Sequence, residues 1–278
     1  MQVWLQKLIP QHALSRLMGC FGNCTNATYK NWMIAKFIKA YGVDMSEALN
    51  EDPKSYACFN EFFTRPLKPG QRDFDKPDDV IISPADGAIS EFGPIQQGQL
   101  LQAKGNAYSL EALVADKDAA ADFQNGTFMT IYLSPKDYHR VHMPFGGTLT
   151  KMTYVPGSLF SVNEAAVDGV PGLFARNERA VCLFDTEIGP MAVIMVGAMI
   201  VASIHTVWAG QAAPQRSRHL TEWNYEDQEL TLDRGAEMGF FQMGSTAIIL
   251  FPENTMQFLD SLNVSDSIRL GDPLGTLL

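Results

Sequence analysis

Two of the five histidines stand three residues apart, at His139 and His142. A neutral imidazole can take up a proton near neutral pH, so either ring could serve as a general base. Pro135 and Pro144 bracket the pair, which disfavours a helix, and in extended backbone an odd separation directs side chains to opposite faces. We therefore expect the two histidines to have different roles. A shared metal ion is not expected, because no third Cys or His ligand lies nearby.

Two further residues could act with these histidines. Asp86 lies in the turn sequence Ser-Pro-Ala-Asp-Gly at 83–87, and Ser245 lies in the step Gly244-Ser245-Thr246. A carboxylate can orient an imidazole, and the imidazole can then take the proton of a serine hydroxyl. One interpretation is a hydrolase that uses Ser245 on an external ester. Against it, Ser245 is followed by Thr246 and not by the x-Gly of a nucleophile elbow.

The first 60 or so residues have a helical pattern. Pro10 suits the start of one helix and Gly19 its end, while Asn26 could cap a second helix that Gly42 ends. Residues 1–40 carry five basic residues and no acidic one, on a chain whose net charge is −10. The second helix therefore suits either a lipid interface or packing on the body of the protein.

From about Val80 the pattern changes to short β-branched and aromatic runs that Gly, Pro and Asn separate. Strands are predicted at Phe128–Leu133, Thr148–Val155, Ala180–Phe184, in two pieces within Met191–Ile204, and at Thr246–Phe251, with one helix at Ser109–Phe123. Residues 188–215 contain no Asp, Glu, Lys or Arg, but their glycines and β-branched residues favour buried strands over a membrane span. The prediction is an α+β fold: a helical amino-terminal part, then a β-rich domain of mostly antiparallel sheets.

Composition excludes some classes of function. With 31 acidic against 21 basic residues, the chain does not have the charge of a nucleic-acid binder. Four cysteines in 278 residues are too few for a disulfide scaffold, which favours a reducing compartment. The first residues also lack the pattern of a secretory signal.

Several ordered motifs together resemble the bacterial phosphatidylserine decarboxylases, a family of pyruvoyl-dependent, membrane-associated proenzymes. The motifs are Phe-Asn-Glu-Phe-Phe-Thr-Arg at 59–65, Ser-Pro-Ala-Asp-Gly at 83–87, Tyr-His-Arg-Val-His at 138–142, Tyr-Val-Pro-Gly at 154–157, Leu-Phe-Ser-Val-Asn at 159–163, Asn-Glu-Arg at 177–179 and Gly-Ser-Thr at 244–246. The family commonly has Leu before that last motif, where this chain has Met243, a residue of similar volume.

The resemblance implies a self-cleaving enzyme. Ser245 would attack the carbonyl of Gly244, and the chain would separate into a β chain of residues 1–244 and an α chain of residues 245–278. Ser245 would become a covalent pyruvoyl group that forms a Schiff base with phosphatidylserine and takes up electrons as CO2 leaves, giving phosphatidylethanolamine. Neither pyridoxal phosphate nor a metal ion would then be needed. Residues 1–65 would form a helical membrane-associated region and residues 66–278 the catalytic domain.

The resemblance also implies roles for single residues. Asp86, His142 and Ser245 would form the self-cleavage triad, with Asp86 accepting the second ring N–H of His142. His139 would act in the decarboxylation, and Ser161 would contact the substrate.

The implied partner is phosphatidylserine in an anionic membrane, with the protein a homodimer on the cytoplasmic face of the bacterial inner membrane. Two rival interpretations stay open, a Ser-His-Asp lipid or ester hydrolase with an intact chain and a membrane-surface binding protein without turnover.

Overall fold

The computed structural model describes residue 6 and residues 10–199, 203–215, 219–242 and 245–278. Seven helices are described: α1 Gln11–Gly22, α2 Ala27–Tyr41, α3 Phe59–Phe63, α4 Leu110–Val114, α5 Lys117–Ala121, α6 Glu164–Gly169 and α7 Leu173–Arg176. The first nine strands are β1 Val80–Ile82, β2 Gly87–Pro94, β3 Gln99–Ala103, β4 Asn106–Ser109, β5 Thr127–Leu133, β6 Arg140–His142, β7 Gly147–Val155, β8 Arg179–Thr186 and β9 Gly189–Gly197. The other nine are β10 Ser203–Thr206, β11 Gly210–Ala213, β12 Thr221–Asn224, β13 Thr231–Leu232, β14 Glu237–Gln242, β15 Ser245–Phe251, β16 Met256–Phe258, β17 Ser267–Ile268 and β18 Pro273–Leu277.

The two predicted amino-terminal helices are present. The Asn26 side chain accepts a hydrogen bond from the backbone of Tyr29 at 3.1 Å, and Gly42 takes a left-handed conformation after the last turn, so both predicted caps of α2 are confirmed. The predicted end of α1 at Gly19 is wrong by about one turn. The helix continues to Gly22, where it packs so closely on the side chain of Asn60 that a Cβ would overlap it.

The helical pattern predicted up to about residue 60 stops at Gly42. Residues 43–58 form turns, followed by the short helix α3. The side chains of Asp44, Asn50 and Asp52 each accept a hydrogen bond from a backbone N–H two residues later. These local bonds stabilise turns at the expense of helix.

The largest sheet carries the centre of the fold. Its order is β12-β7-β8-β9-β15-β5-β2-β17, with β13 paired to β7, and every described pairing in it is antiparallel. Strand β15 lies between β9 and β5, and all seven of its residues are buried. This accounts for its unbroken apolar sequence, because a strand covered on both faces has no polar side.

A second sheet, named the small sheet here, has the order β11-β10-β14-β6. It packs on one face of the largest sheet, named the large sheet. Phe241 and Val141 of the small sheet and Ala247 of β15 belong to one hydrophobic cluster between the two sheets. Helices α4 to α7 contribute to a second cluster on the opposite face, together with Ile248 of β15. The predicted α+β class with mostly antiparallel sheets is confirmed.

One further local prediction differs from the structure. The single helix predicted over Ser109–Phe123 is two short helices, α4 and α5, because Ala115 takes a left-handed conformation and the side chain of Asp116 caps the next helix. The uncharged stretch 188–215 forms strands as predicted, with residues 200–202 outside the described part. No helix among the described residues is long and apolar enough to cross a membrane.

Candidate active site

Ser245 is the first residue of β15. It pairs with Leu133 on one side and with Gly197 on the other, so the two neighbouring strands fix its backbone. Its side chain is fully buried, and its hydroxyl oxygen has no hydrogen-bond partner within the described part of the chain. A buried hydroxyl without a partner is costly, and several other hydroxyls of the described residues, that of Thr246 included, share this property. Met243 and Gly244 lie outside the described residues.

His139 lies in the connection between β5 and β6 and is fully buried. Its Nδ1 lies 2.8 Å from the backbone carbonyl oxygen of Asp137, so Nδ1 carries the hydrogen and Nε2 carries the lone pair. Nε2 has no partner among the described residues. Burial lowers the pKa of His139 from 6.5 to about 3, and the nearby positive charge of Arg65 acts in the same direction. The ring is therefore neutral.

His142 has different surroundings. Its Nδ1 lies 2.8 Å from the carbonyl oxygen of Gly235, and its Nε2 lies 3.2 Å from the hydroxyl of Tyr138. Burial lowers its pKa, while the bond to Gly235 and the negative charges of Glu237 and Asp86 oppose that shift. The two histidines therefore differ in their hydrogen-bond partners, and the expected difference in their roles stays a prediction.

Asp86 does not bind His142 as predicted. Its carboxylate accepts hydrogen bonds from the guanidinium of Arg72, through Nε at 3.0 Å and through a second nitrogen, and from the backbone N–H of Leu270 at 2.8 Å. A two-point bond to Arg is stronger than a bond to a neutral imidazole, and the Gly235 carbonyl already occupies Nδ1. Asp86 therefore acts on His142 by its charge and not by a direct bond.

Arg72 belongs to a wider set of charges that the sequence did not indicate. Its side chain is 5% exposed and also donates to Glu47 at 3.1 Å, and Glu47 accepts a further bond from Arg269. The negative charge of Asp86 is thus balanced by a buried guanidinium. No sequence signal distinguishes Arg72 from the other arginines, because its partners are 14 and 25 residues away in the chain.

Ser161 lies in the loop between β7 and α6. Its backbone N–H donates to the side chain of Gln6 at 3.0 Å, and its own side chain is partly exposed. The preceding residue, Phe160, is tied through both backbone groups to the side chain of Asn177, which also donates to the carbonyl of Gly197 at 2.9 Å. Because Gly197 pairs with Ser245, this bridge connects the loop with Ser161 to the strand beside Ser245.

Helix α1 holds the same loop from outside. Gln11 accepts a hydrogen bond from the backbone N–H of Leu159 at 2.7 Å, and Nε2 of His12 lies 2.9 Å from the carbonyl of Gly157. Helix α1 therefore contacts the loop that carries Ser161.

The amino-terminal helices also carry large exposed apolar side chains, namely Leu17, Phe21, Trp32 and Tyr41. Lys36 and Lys39 are exposed on α2. Lys30, on the same helix, is instead buried, and its ammonium donates to the carbonyl of Lys54 at 2.8 Å. Lys30 thus stabilises the turn region 43–58 and does not face outward with the other two lysines.

Comparison with known proteins adds independent findings. The family model described as phosphatidylserine decarboxylase matches residues 59–276, and a second model, described as PSD, matches residues 1–42. A phosphatidylserine decarboxylase proenzyme of Pseudomonas entomophila (strain L48) is 55% identical over 273 residues, which cover 97% of this chain and 95% of that protein. The protein of the same name from Bordetella avium (strain 197N) is 54% identical over 271 residues, which cover 97% of this chain and 92% of that protein.

Proposed function

Because this chain belongs to the phosphatidylserine decarboxylase family, we propose that it is a self-cleaving proenzyme that converts phosphatidylserine to phosphatidylethanolamine and CO2. The observation that supports this best is the buried hydroxyl of Ser245, which has no partner in the described structure and stands at the start of a central strand. Attack on its own backbone carbonyl needs no external substrate at that hydroxyl, although the lipid must reach position 245 once the chain is cleaved.

We propose the cut between Gly244 and Ser245. The Ser245 hydroxyl attacks the preceding carbonyl, and the peptide bond becomes an ester. Elimination then leaves residues 1–244 with a terminal carboxylate and residue 245 as dehydroalanine. Water hydrolyses the imine form of this residue and ammonia leaves, which would give a pyruvoyl group whose carbonyl supplies the electron sink that ordinary side chains lack. The residues paired with Ser245 are Leu133 and Gly197, and neither has a nucleophilic side chain that could compete with the substrate amine for such a carbonyl.

We assign the base for cleavage to His142. The Gly235 carbonyl holds the proton on Nδ1, which leaves the lone pair on Nε2, and the charges of Glu237 and Asp86 stabilise the imidazolium once Nε2 is protonated. His139 is the weaker base, since burial lowers its pKa to about 3. Nε2 of His142 lies beside the Tyr138 hydroxyl, and it must give up this contact before it accepts the proton of Ser245.

We assign His139 to the decarboxylation. Its Nε2 is a buried acceptor without a partner among the described residues, and it suits a group that accepts a hydrogen bond from the substrate and orients it. Ser161 is proposed to contact the substrate, supported by the Asn177 bridge between its loop and Gly197.

The substrate is a lipid, and we propose that residues 1–65 form the membrane-associated region and residues 66–278 the catalytic domain. The exposed Phe21 and Trp32 would enter the interface, and Lys36 and Lys39 would lie near anionic head groups. The family resemblance further supports a homodimer, bound peripherally to the cytoplasmic face of the inner membrane.

The test is the intact mass of the denatured protein, wild type against Ser245→Ala, together with release of CO2 from phosphatidylserine. Wild type should give two chains, the smaller with 34 residues and lighter than its serine form by one ammonia, and should release CO2. Ser245→Ala should stay a single chain and release none. A single wild-type chain that is labelled at Ser245 by a serine-directed phosphonate would instead support the hydrolase.

A further inference from the structure

None of the roles proposed for single residues uses the motif at 59–65, yet its end lies against His139. Phe63 is the last residue of α3 and is 2% exposed. The centre of its ring lies 4.1 Å from the centre of the His139 imidazole, and the two ring planes are inclined by 46°. Among the described residues no other two ring centres lie closer together. The Phe63 ring therefore covers part of the imidazole face.

Two hydrogen bonds hold the same two pieces of chain together. The carbonyl of Thr64 accepts a bond from Nε of Arg140 at 2.9 Å, and Arg65 donates to the carbonyl of Lys136 at 3.2 Å. Both bonds join the end of α3 to the chain on either side of His139. The ring contact is therefore part of a fixed junction.

Phe63 also has an aromatic neighbour on α2. The ring of Phe37 packs edge-on against the rings of Phe59, Phe62 and Phe63, with centres 5.0, 6.0 and 5.8 Å apart. Edge-on packing of aromatic rings is favourable. Phe63 is thus held between α2 and His139.

The contact restricts the orientation of the imidazole. The bond from Nδ1 to the carbonyl of Asp137 fixes one edge of the His139 ring, but the ring could still rotate about the direction of that bond. The Phe63 ring against its face limits this rotation. Nε2, which has no partner among the described residues, then points in one direction. A fixed direction is what an acceptor needs in order to orient a substrate.

We propose, on the basis of the proposed function, that Phe63 is a positioning residue for the decarboxylation. It holds the imidazole of His139 in the orientation that lets Nε2 accept a hydrogen bond from the substrate, and it keeps water from the ring. Phe63 itself does not contact the substrate in this role. Self-cleavage does not depend on Phe63, because the base assigned to cleavage is His142.

The electrostatics agree with this role, because Nε2 can accept a hydrogen bond only while the ring is neutral. Burial lowers the pKa of His139 to about 3, and Phe63 supplies part of that burial. The positive charge of Arg65 lowers the pKa further. The carboxylate of Asp137 is bonded to Ser134, so Asp137 presents its carbonyl to the ring. Removal of the Phe63 ring would admit water and raise the pKa of His139 toward its ordinary value.

The experiment compares mature wild-type enzyme with Phe63→Ala and uses Phe59→Ala as the matched control. Phe59 lies on the same helix, is also 2% exposed and also contacts Phe37, but its ring does not contact His139 in the described structure. Intact mass reports whether each protein is cleaved. Turnover of short-chain phosphatidylserine in solution then gives kcat and KM without a membrane.

A second measurement reports on His139 directly. NMR of protein with isotope-labelled histidine gives the tautomer and the pKa of each ring, and the signals of His139 are those that disappear in His139→Gln. This readout depends on the surroundings of the imidazole and not on catalysis.

Phe63→Ala should be cleaved, and its kcat should fall about 10- to 100-fold with little change in KM, which is the cost of misplacing an active-site group by about 1 Å. Phe59→Ala should be cleaved and should keep the wild-type kcat. In wild type His139 should stay in the neutral form with the hydrogen on Nδ1 down to about pH 5. In Phe63→Ala its pKa should be higher, because water reaches the ring.

An equal fall of kcat in Phe63→Ala and Phe59→Ala would overturn the assignment, because loosening of the aromatic cluster would then explain both. An unchanged kcat in Phe63→Ala, or an unchanged pKa of His139 in that variant, would overturn it as well. If Phe63→Ala does not fold, Phe63→Leu and Phe59→Leu take the place of the alanine variants, since leucine fills much of the space without a flat ring. Equal kcat values in these two leucine variants would overturn the assignment.

Failure of the proposed function gives different results. A wild-type protein that releases no CO2 refutes the proposed function, and full kcat in His139→Gln refutes the role proposed for His139. The positioning role is overturned with either of them, while the NMR comparison still shows whether Phe63 orders the imidazole.

Discussion

The burial of His139 should make the stability of the proenzyme depend on pH in a way that one substitution removes. Burial lowers the pKa of His139 from 6.5 to about 3 in the folded protein. Between these values the unfolded chain binds a proton that the folded chain does not, so stability is complete above about pH 6.5 and falls as the pH decreases. Each pH unit in that window costs 1.36 kcal/mol, so about 2 kcal/mol is lost between pH 6.5 and about pH 5.

The assay is urea unfolding of Ser245→Ala, which keeps the chain uncut, with and without His139→Gln, at about pH 7.5 and about pH 5. Glutamine keeps a polar group at the site but does not titrate. The loss of unfolding free energy on acidification should be smaller by about 2 kcal/mol in the double variant. His219→Gln, at an exposed histidine, controls for removal of a histidine as such. An identical loss with and without His139 would show that this imidazole is not buried in neutral form.

Three further outcomes are expected. His142→Ala should stay uncleaved by intact mass, and Asp86→Asn should slow cleavage rather than abolish it, because the carboxylate acts on His142 through its charge at a distance; normal cleavage in His142→Ala would reverse the roles of the two histidines. Phe21→Ser with Trp32→Ser should reduce sedimentation with anionic vesicles while leaving self-cleavage intact, and unchanged sedimentation would exclude this surface. Gln11→Ala should raise the KM for phosphatidylserine in vesicles with little change in kcat, because it removes the acceptor for the N–H of Leu159 in the loop that carries Ser161. An unchanged KM would mean that α1 does not order that loop.

The fold could be predicted wherever local chemistry determines it. The cap at Asn26 and the left-handed Gly42 bound α2 as predicted, and the apolar run at 246–251 is the central strand. Prediction was wrong where a contact distant in sequence decides. Helix α1 passes Gly19 because Gly22 packs on Asn60, and no pattern within α1 encodes that contact.

The site shows the same division. His139 and His142 have different hydrogen-bond partners, but strand alternation is not the reason, because His139 lies in the connection before β6 and only His142 lies in the strand. The partner of His142 could not be predicted, since it is the backbone carbonyl of Gly235, 93 residues away, and a carbonyl leaves no mark on the sequence. The predicted bond between Asp86 and His142 is absent because Arg72 binds the carboxylate instead. Only the fold identifies Arg72 as the partner of Asp86.

The position of Ser245 also explains how the chain could be cut beside a central strand while its two fragments stay associated. The proposed cut falls between β14, which belongs to the small sheet, and β15, which belongs to the large one, so each strand keeps its own neighbours. Strand β15 stays paired with β5 and β9 along its whole length, and β17 and β18 of the same fragment stay paired with β2 and β1. The new amino-terminal residue then begins the fully buried strand β15, and β5 and β9 on its two sides fix the orientation of this residue. A reactive carbonyl at that position is fixed before the substrate arrives, which is the arrangement that lowers the entropic cost of reaction.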